Sequence, residues 1–419
     1  MSSAIFRVST TVLYLVAILP ERARTAHSSL KAVQLVWRHG DRNPYHLWST
    51  DVKNSAASWP EGIGELTKRG VRQLYDLGTE FREQYGHLMN FTWNPDYVKF
   101  YSGEDNRTIA SAQALAAGMY PPSERQIWNP DLPWLPVPIH SRDFLEWIEG
   151  DAAVKWACPS LRHIATEPEL TALRNENMDI VEKLEILANA SIDNLLFDLG
   201  PVVDPLICEW YHSDTHSWPD GVTNELFMSA WALNTRTREL VYSYPDGLSL
   251  TGGWLLSQLV ENLGDFVTED SEKVIVGYSG HDENLRALAA TFGATGFFWG
   301  YASYIAIELH DMNDTEIIQV WIRNDTNQSR QRLELSDCQD PCSFGDFVAR
   351  SQVYFPVTEW DTACAKNTSI YQGQLYAAVW ILSALSLLFL MATLISCILF
   401  MRTRQRLRAK EELRPLIQK

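Results

Sequence analysis

Two short apolar runs each stop abruptly at a histidine, and this pairing constrains the chain more than any other feature. Residues 32–37 (AVQLVW) break off at Arg38-His39-Gly40-Asp41-Arg42, and residues 273–278 (KVIVGY) break off at Ser279-Gly280-His281-Asp282. Short apolar runs rich in β-formers and bounded by turn signals read as buried strands, the kind found in parallel sheets. Such sheets collect ligands beyond the carboxyl ends of their strands, so both histidines fall where a site forms. After the second run, Asp282 and Asn284 can cap a helix that continues through Leu285, Leu288 and Ala289.

The intervening segments extend the pattern. Residues 66–81 have helical period and open on Thr67; residues 98–101 read as a short strand leading through Glu104-Asp105-Asn106-Arg107-Thr108 into a helix over 109–119. Strands alternating with helices predict an α/β fold with a mostly parallel central sheet flanked by helices. The Pro- and Trp-rich stretch 121–138 breaks the alternation, and the sequence to about Ser249 is helical in period. The expected domains are therefore an α/β catalytic body from 27–120 and 250–364, with a smaller α-helical domain, 121–249, inserted between. Residues 304–309 and 316–321 read as strands at the sheet edge.

The two ends point to a membrane. Residues 1–26 have the layout of a secretory signal peptide, with Arg7 ahead of an apolar run. Residues 375–400 carry no charge, long enough for one spanning helix (375–401), and Arg402, Arg404, Arg406, Arg408 and Lys410 mark the cytoplasmic side of a type I protein with a tail over 402–419. Residues 27–401 hold 25 Lys and Arg against 49 Asp and Glu, and so acidic an ectodomain would repel nucleic acid. In an oxidising compartment Cys158, Cys208, Cys338, Cys342 and Cys364 form an odd set, in which the spacing of Cys338 and Cys342 suits a small local loop. Sequons at Asn90, Asn106, Asn189, Asn313, Asn324, Asn327 and Asn367 fit the secretory route, and Asn90 and Asn324 are the expected glycosylation sites.

A loop that offers two arginines around one imidazole suits a phosphate monoester. The guanidinium fork bonds two phosphate oxygens at once and stays charged at any working pH. Arg38 and Arg42 place two forks beside His39, and Gly40 is expected to let the backbone come close to the ligand.

Arg38-His39-Gly40-Asp41-Arg42 with Pro44 resembles the RHGxRxP signature of the histidine acid phosphatases, and His281-Asp282 resembles their second signature. The likeness runs from about Lys31 to Cys364, takes in Asp105-x-Arg107-Thr108 and Asp204-Pro205-Leu206-Ile207-Cys208-Glu209, and within the family is nearest in look to the lysosomal and prostatic members. It implies the histidine phosphatase fold and hydrolysis of small phosphomonoesters through a phosphohistidine. His39 would be the nucleophile, Arg38, Arg42, Arg107 and His281 the phosphoryl clamp, and Asp282 the general acid. It requires no metal or cofactor. Nearby arginines would lower the pKa of His39 and favour ionised Asp282, so activity should fall as pH rises.

The chain departs from the family pattern at three places. The usual partner of the family's disulfide cysteine at Cys208 is replaced by Tyr304, which leaves Cys208 a free thiol and implies bridges Cys158–Cys364 and Cys338–Cys342. Glu283 follows the His-Asp pair where small polar residues are common, and the Asn106 sequon abuts Arg107. The resemblance also implies a homodimer, to which the stretch holding Trp134 and His140 would contribute. In the tail, Glu412-Leu413-Arg414-Pro415-Leu416-Ile417 is similar to acidic dileucine signals, which gives sorting adaptors as partners and a lysosomal or endosomal membrane as destination, with the plasma membrane or secretion after proteolysis as alternatives. Other readings are an inositol polyphosphate phosphatase, another enzyme of the superfamily, or an inactive receptor-like ectodomain.

Overall fold

The computed structural model describes residues 28–141, 158–268, 272–358, 360 and 362–364, with isolated positions 386, 396, 400–402 and 404. Strand β1 (Ser28–Arg38) lies inside a seven-stranded sheet. Its alternation decides how the layers are built: Val33, Leu35 and Trp37 face one core, while Ala32 and Val36 face the other. The first core is closed by α1 (Lys68–Tyr85) and α2 (Asn106–Met119), which contribute Leu74, Leu77, Phe81 and Leu115. Thr67 caps α1 by accepting from the Gly70 amide at 3.1 Å, and the buried positions that follow recur at helical spacing.

Between the first and second halves of the sheet run α3 (Pro168–Glu176), α4 (Met178–Ala188), α5 (Gly200–Tyr211) and α6 (Asn224–Ser243). They bury Leu184, Val203, Leu206 and Phe227 in a core of their own, separate from both faces of the sheet. The chain then returns through α7 (Trp254–Val267), β4 (Ile275–Gly280) and α8 (Asp282–Thr291), and α7 and α8 cover the second face. Asn284 Oδ1 accepts from the His281 amide at 2.6 Å, so His281 rather than Asp282 is the N-cap of α8.

With β2 (Val98–Ser102), β3 (Ile139–Ser141), β5 (Tyr304–Met312), β6 (Glu316–Arg323) and β7 (Gln331–Leu333), the strand order is β3-β2-β4-β1-β5-β6-β7. The sheet is mixed, which corrects the expectation of a mostly parallel one. Pairings among β1 to β4 are parallel, whereas β1–β5, β5–β6 and β6–β7 are antiparallel. The cause is local: β5 and β6 are joined by a tight turn with Asn313 and Asp314 at positive φ, and no crossover helix separates them. A second correction follows, because β5 and β6 are both interior strands, lying between β1 and β7, and the edges are β3 and β7.

Among the described residues no helix is long and apolar enough to cross a membrane. The expected leader, spanning helix and tail lie outside the described residues apart from the isolated positions above.

Candidate active site

The parallel strands align their tips. Arg38 pairs with Gly280 and Ser102 with Ser279, so the loops after β1, β2 and β4 open side by side. The His39 amide donates to the Gly280 carbonyl at 2.9 Å, which ties the first histidine to the strand that carries the second. The two imidazoles are 5.4 Å apart between ring centroids, and His39 is only 2% exposed.

A carbonyl can only accept, so the 2.8 Å contact between His39 Nδ1 and the Gly40 oxygen fixes the proton on Nδ1. Nε2 then carries the lone pair. Burial, followed by the charges of Arg107, Arg38, His281 and Arg42, holds the His39 pKa well below the ordinary imidazole range. The arginines act in the direction the sequence implies, but burial is the larger cause.

Three guanidiniums surround this ring, each anchored differently. Arg38 donates to the Trp299 carbonyl at 2.6 Å, and its Nη2 lies 3.0 Å from Asp282 Oδ1. Arg42 is held by Asp204 Oδ1 at 2.7 Å and by the Asn43 carbonyl at 3.1 Å. Arg107, in the first turn of α2, pairs with Asp105 and donates to His281 Nδ1 at 3.3 Å. The buried Nε groups of Arg38 and Arg42 have no hydrogen-bond partner among the described residues. Unspent buried donors on arginines beside a neutral imidazole are what an anion site requires.

Asp282 opens α8 at the cleft beyond the clamp. Burial raises its carboxyl, but Arg38, Arg286, Arg238 and Arg42 outweigh that and hold it below the ordinary carboxylate range. Arg286 Nη2 lies 3.6 Å from its second oxygen. Burial and the Asp282 charge push neighbouring Glu283 upward.

Gly40 also makes a close approach within the protein. A Cβ there would meet the Gly70 carbonyl oxygen at 2.5 Å, and one on Gly70 would meet the Asp41 oxygen at 2.2 Å. The glycine lets the loop after β1 press onto α1. The cysteines form Cys158–Cys364 and Cys338–Cys342 bridges, and Cys208 is a buried free thiol 3.5 Å from Arg42 Nη1 and 3.6 Å from the Tyr301 hydroxyl. Tyr304 instead donates to Glu80 from within β5. Asn90 is exposed, Asn324 is half-buried, and the exposed Asn106 gives its Nδ2 to Glu65 at 2.9 Å.

Residues 29–320 match the histidine phosphatase superfamily, branch 2. The chain belongs to that superfamily. It is 29% identical to the lysosomal acid phosphatase of Homo sapiens over 92% of this chain and 90% of that one, and 28% identical to the prostatic acid phosphatase of Bos taurus over 85% and 93%. With the lysosomal acid phosphatase of Xenopus laevis the identity is 30% over 88% and 86%. Among solved structures, the apo phytase of Hafnia alvei shares the fold, with a TM-score of 0.59 at 16% identity over 80% of this chain and 98% of that one.

Sequence reasoning did not single out several residues of this histidine phosphatase site. Asp204, which holds Arg42, lies within a matched segment but carried no role; Tyr45 and Tyr301 stack on the arginines, and Arg286 flanks Asp282. Only the i,i+4 spacing of Asp282 and Arg286 was a readable signal.

Proposed function

We propose that this protein is an acid phosphatase that hydrolyses phosphate monoesters through a phosphohistidine on His39. The observation that carries the reading is a neutral imidazole, pinned at Nδ1 and facing the guanidiniums of Arg38, Arg42 and Arg107. His39 Nε2 attacks phosphorus as the ester P–O bond breaks; the guanidiniums and His281 hold the phosphoryl oxygens, and Asp282 gives a proton to the departing alkoxide. Water, deprotonated by the Asp282 carboxylate, then cleaves the P–N bond and returns His39 and inorganic phosphate. The relatives named acid phosphatases support this choice of chemistry. Hydrolysis of p-nitrophenyl phosphate at acid pH should disappear in His39→Ala, and acid-quenched turnover of a labelled ester should leave label on residue 39. Turnover that persists in His39→Ala would overturn the proposal.

An inositol polyphosphate phosphatase is less well supported, because beyond Arg38 and Arg42 the cleft adds only Arg238 and Arg286, set against Asp204, Asp282 and Glu283. Those carboxylates would oppose a second phosphate. An inactive ectodomain has no use for the unspent guanidinium donors. The division into a catalytic body (27–120 and 250–364) and an inserted helical domain (121–249) belongs to this reading, as does type I anchoring through 375–401 in a lysosomal or endosomal membrane. The uncharged run, the basic flank and the lysosomal relatives support that location. A homodimer is supported by Trp134, 41% exposed, and exposed His140 on edge strand β3. Leu416→Ala with Ile417→Ala should redistribute the protein to the cell surface, and an unchanged location would remove the sorting role.

A further inference from the structure

Two of the three clamp arginines come from different strand tips, Arg42 from the loop after β1 and Arg107 from the start of α2 after β2. They meet at one aromatic ring. The Cζ of Arg42 lies 4.0 Å from the Tyr45 ring centroid and that of Arg107 lies 4.5 Å from it. Like charges brought together in a buried site repel, and their carboxylate partners, Asp204 for Arg42 and Asp105 for Arg107, hold each separately rather than together. The electron-rich face of a ring attracts cations, which offers both guanidiniums a common resting place.

The ring itself is held in register with the arginines. The Tyr45 amide donates to Asp204 Oδ2 at 2.8 Å, while the other oxygen of that carboxylate accepts from Arg42 at 2.7 Å. Gly64, at a φ of +74°, backs the ring, and a Cβ there would come within 3.3 Å of Tyr45 Cδ1. One carboxylate therefore fixes both the tyrosine main chain and the guanidinium that rests on its side chain.

We propose that Tyr45 is a positioning residue that sets Arg42 and Arg107 as a single preformed fork for phosphate. This rests on the phosphatase reading above. Tyr45 also lines the cleft on the side of Asp282, so the rival role is direct contact with the leaving group. Inorganic phosphate has no leaving group, and its inhibition constant therefore separates the two. In the full-length protein, Tyr45→Leu should raise that constant by about tenfold, with KM for p-nitrophenyl phosphate rising in step, and Tyr45→Phe should recover most of the loss. Tyr45→Met, a second ringless variant, should repeat the effect and guards against misfolding of the first. An unchanged phosphate constant in a folded ringless variant, or a phenylalanine variant as weak as leucine, would overturn the proposal while leaving the phosphatase reading intact. A parent protein that neither turns over nor binds phosphate would overturn both.

Discussion

Arg38 Nη2 stands 3.0 Å from Asp282 Oδ1, and this contact sets a condition on the acid chemistry. Burial favours the protonated carboxyl, but Arg38 and the neighbouring arginines outweigh it and hold the pKa below the ordinary carboxylate range. A phosphate dianion placed among the same guanidiniums would offset their charge and raise the Asp282 pKa. On the proposed mechanism the proton would be taken up with the substrate, and kcat/KM should fall as pH rises beyond the second ionisation of the ester. Asp282→Asn should lower kcat/KM, which reports only the steps through phosphohistidine formation, by roughly 10²–10⁴ for an alkyl phosphate and much less for p-nitrophenyl phosphate, whose phenolate leaves without a proton. Equal losses on both esters would remove Asp282 from the acid role.

Arg286 offers a second handle on the same proton. It lies 3.6 Å from Asp282 Oδ2 and 3.6 Å from Glu239, four residues along α8 from the carboxyl it lowers. Arg286→Gln removes one cause of the depression, so Asp282 stays protonated to higher pH. The alkaline limb of the kcat profile for an alkyl phosphate should move up by roughly one unit. A limb that does not move would assign the depression to Arg38, Arg238 and Arg42 without Arg286.

The parts of the site that follow from local pattern were legible in the sequence. Both histidines sit at the tips of apolar strands, and Arg38, Arg42 and Arg107 cluster around them as the family motifs imply. What escaped depends on long-range packing. Asp204 reaches Arg42 across 162 positions, and Tyr45 carries nothing in its neighbours to show that two cations rest on its ring. The antiparallel half of the sheet escaped for a related reason. Its strands are as apolar as those of the parallel half, and direction is set by a turn too short for a crossover. Gly40 was readable as a close approach, but its neighbour was not, because Gly70 becomes one only once α1 docks on the loop.

That docking is testable. Gly40→Ala would drive a methyl into the Gly70 main chain, which cannot turn aside as a flexible side chain would. The loop must then lift from α1, carrying the His39 ring away from the Gly40-anchored tautomer. The variant should lose at least a hundredfold in kcat/KM, and its Tm should fall by several degrees. Parental kinetics in Gly40→Ala would show that the loop tolerates the displacement.

Glu209, on α5 and 2% exposed, links the fold to acid conditions. Its Oε1 accepts from Asn54 at 3.0 Å, and the same Asn54 nitrogen donates to Asp51 at 2.8 Å. Burial first and the Asp51 charge second push the Glu209 carboxyl up from 4.5 to about 9. The native state therefore keeps this proton over a range in which the unfolded chain has lost it. Stability from this group is complete below about pH 4.5 and drains away as pH rises toward 9. His39 works in the opposite sense: its folded pKa lies below 6.5, so the unfolded chain binds the extra proton and stability falls as pH drops. Comparing Glu209→Gln with the parent at each pH cancels the histidine, which both proteins carry. The amide mimics the protonated acid, so the variant should melt several degrees above the parent at pH 7.5, and the two should converge near pH 4.5. A variant that is no more stable at pH 7.5 would show that Glu209 is already ionised in the native fold.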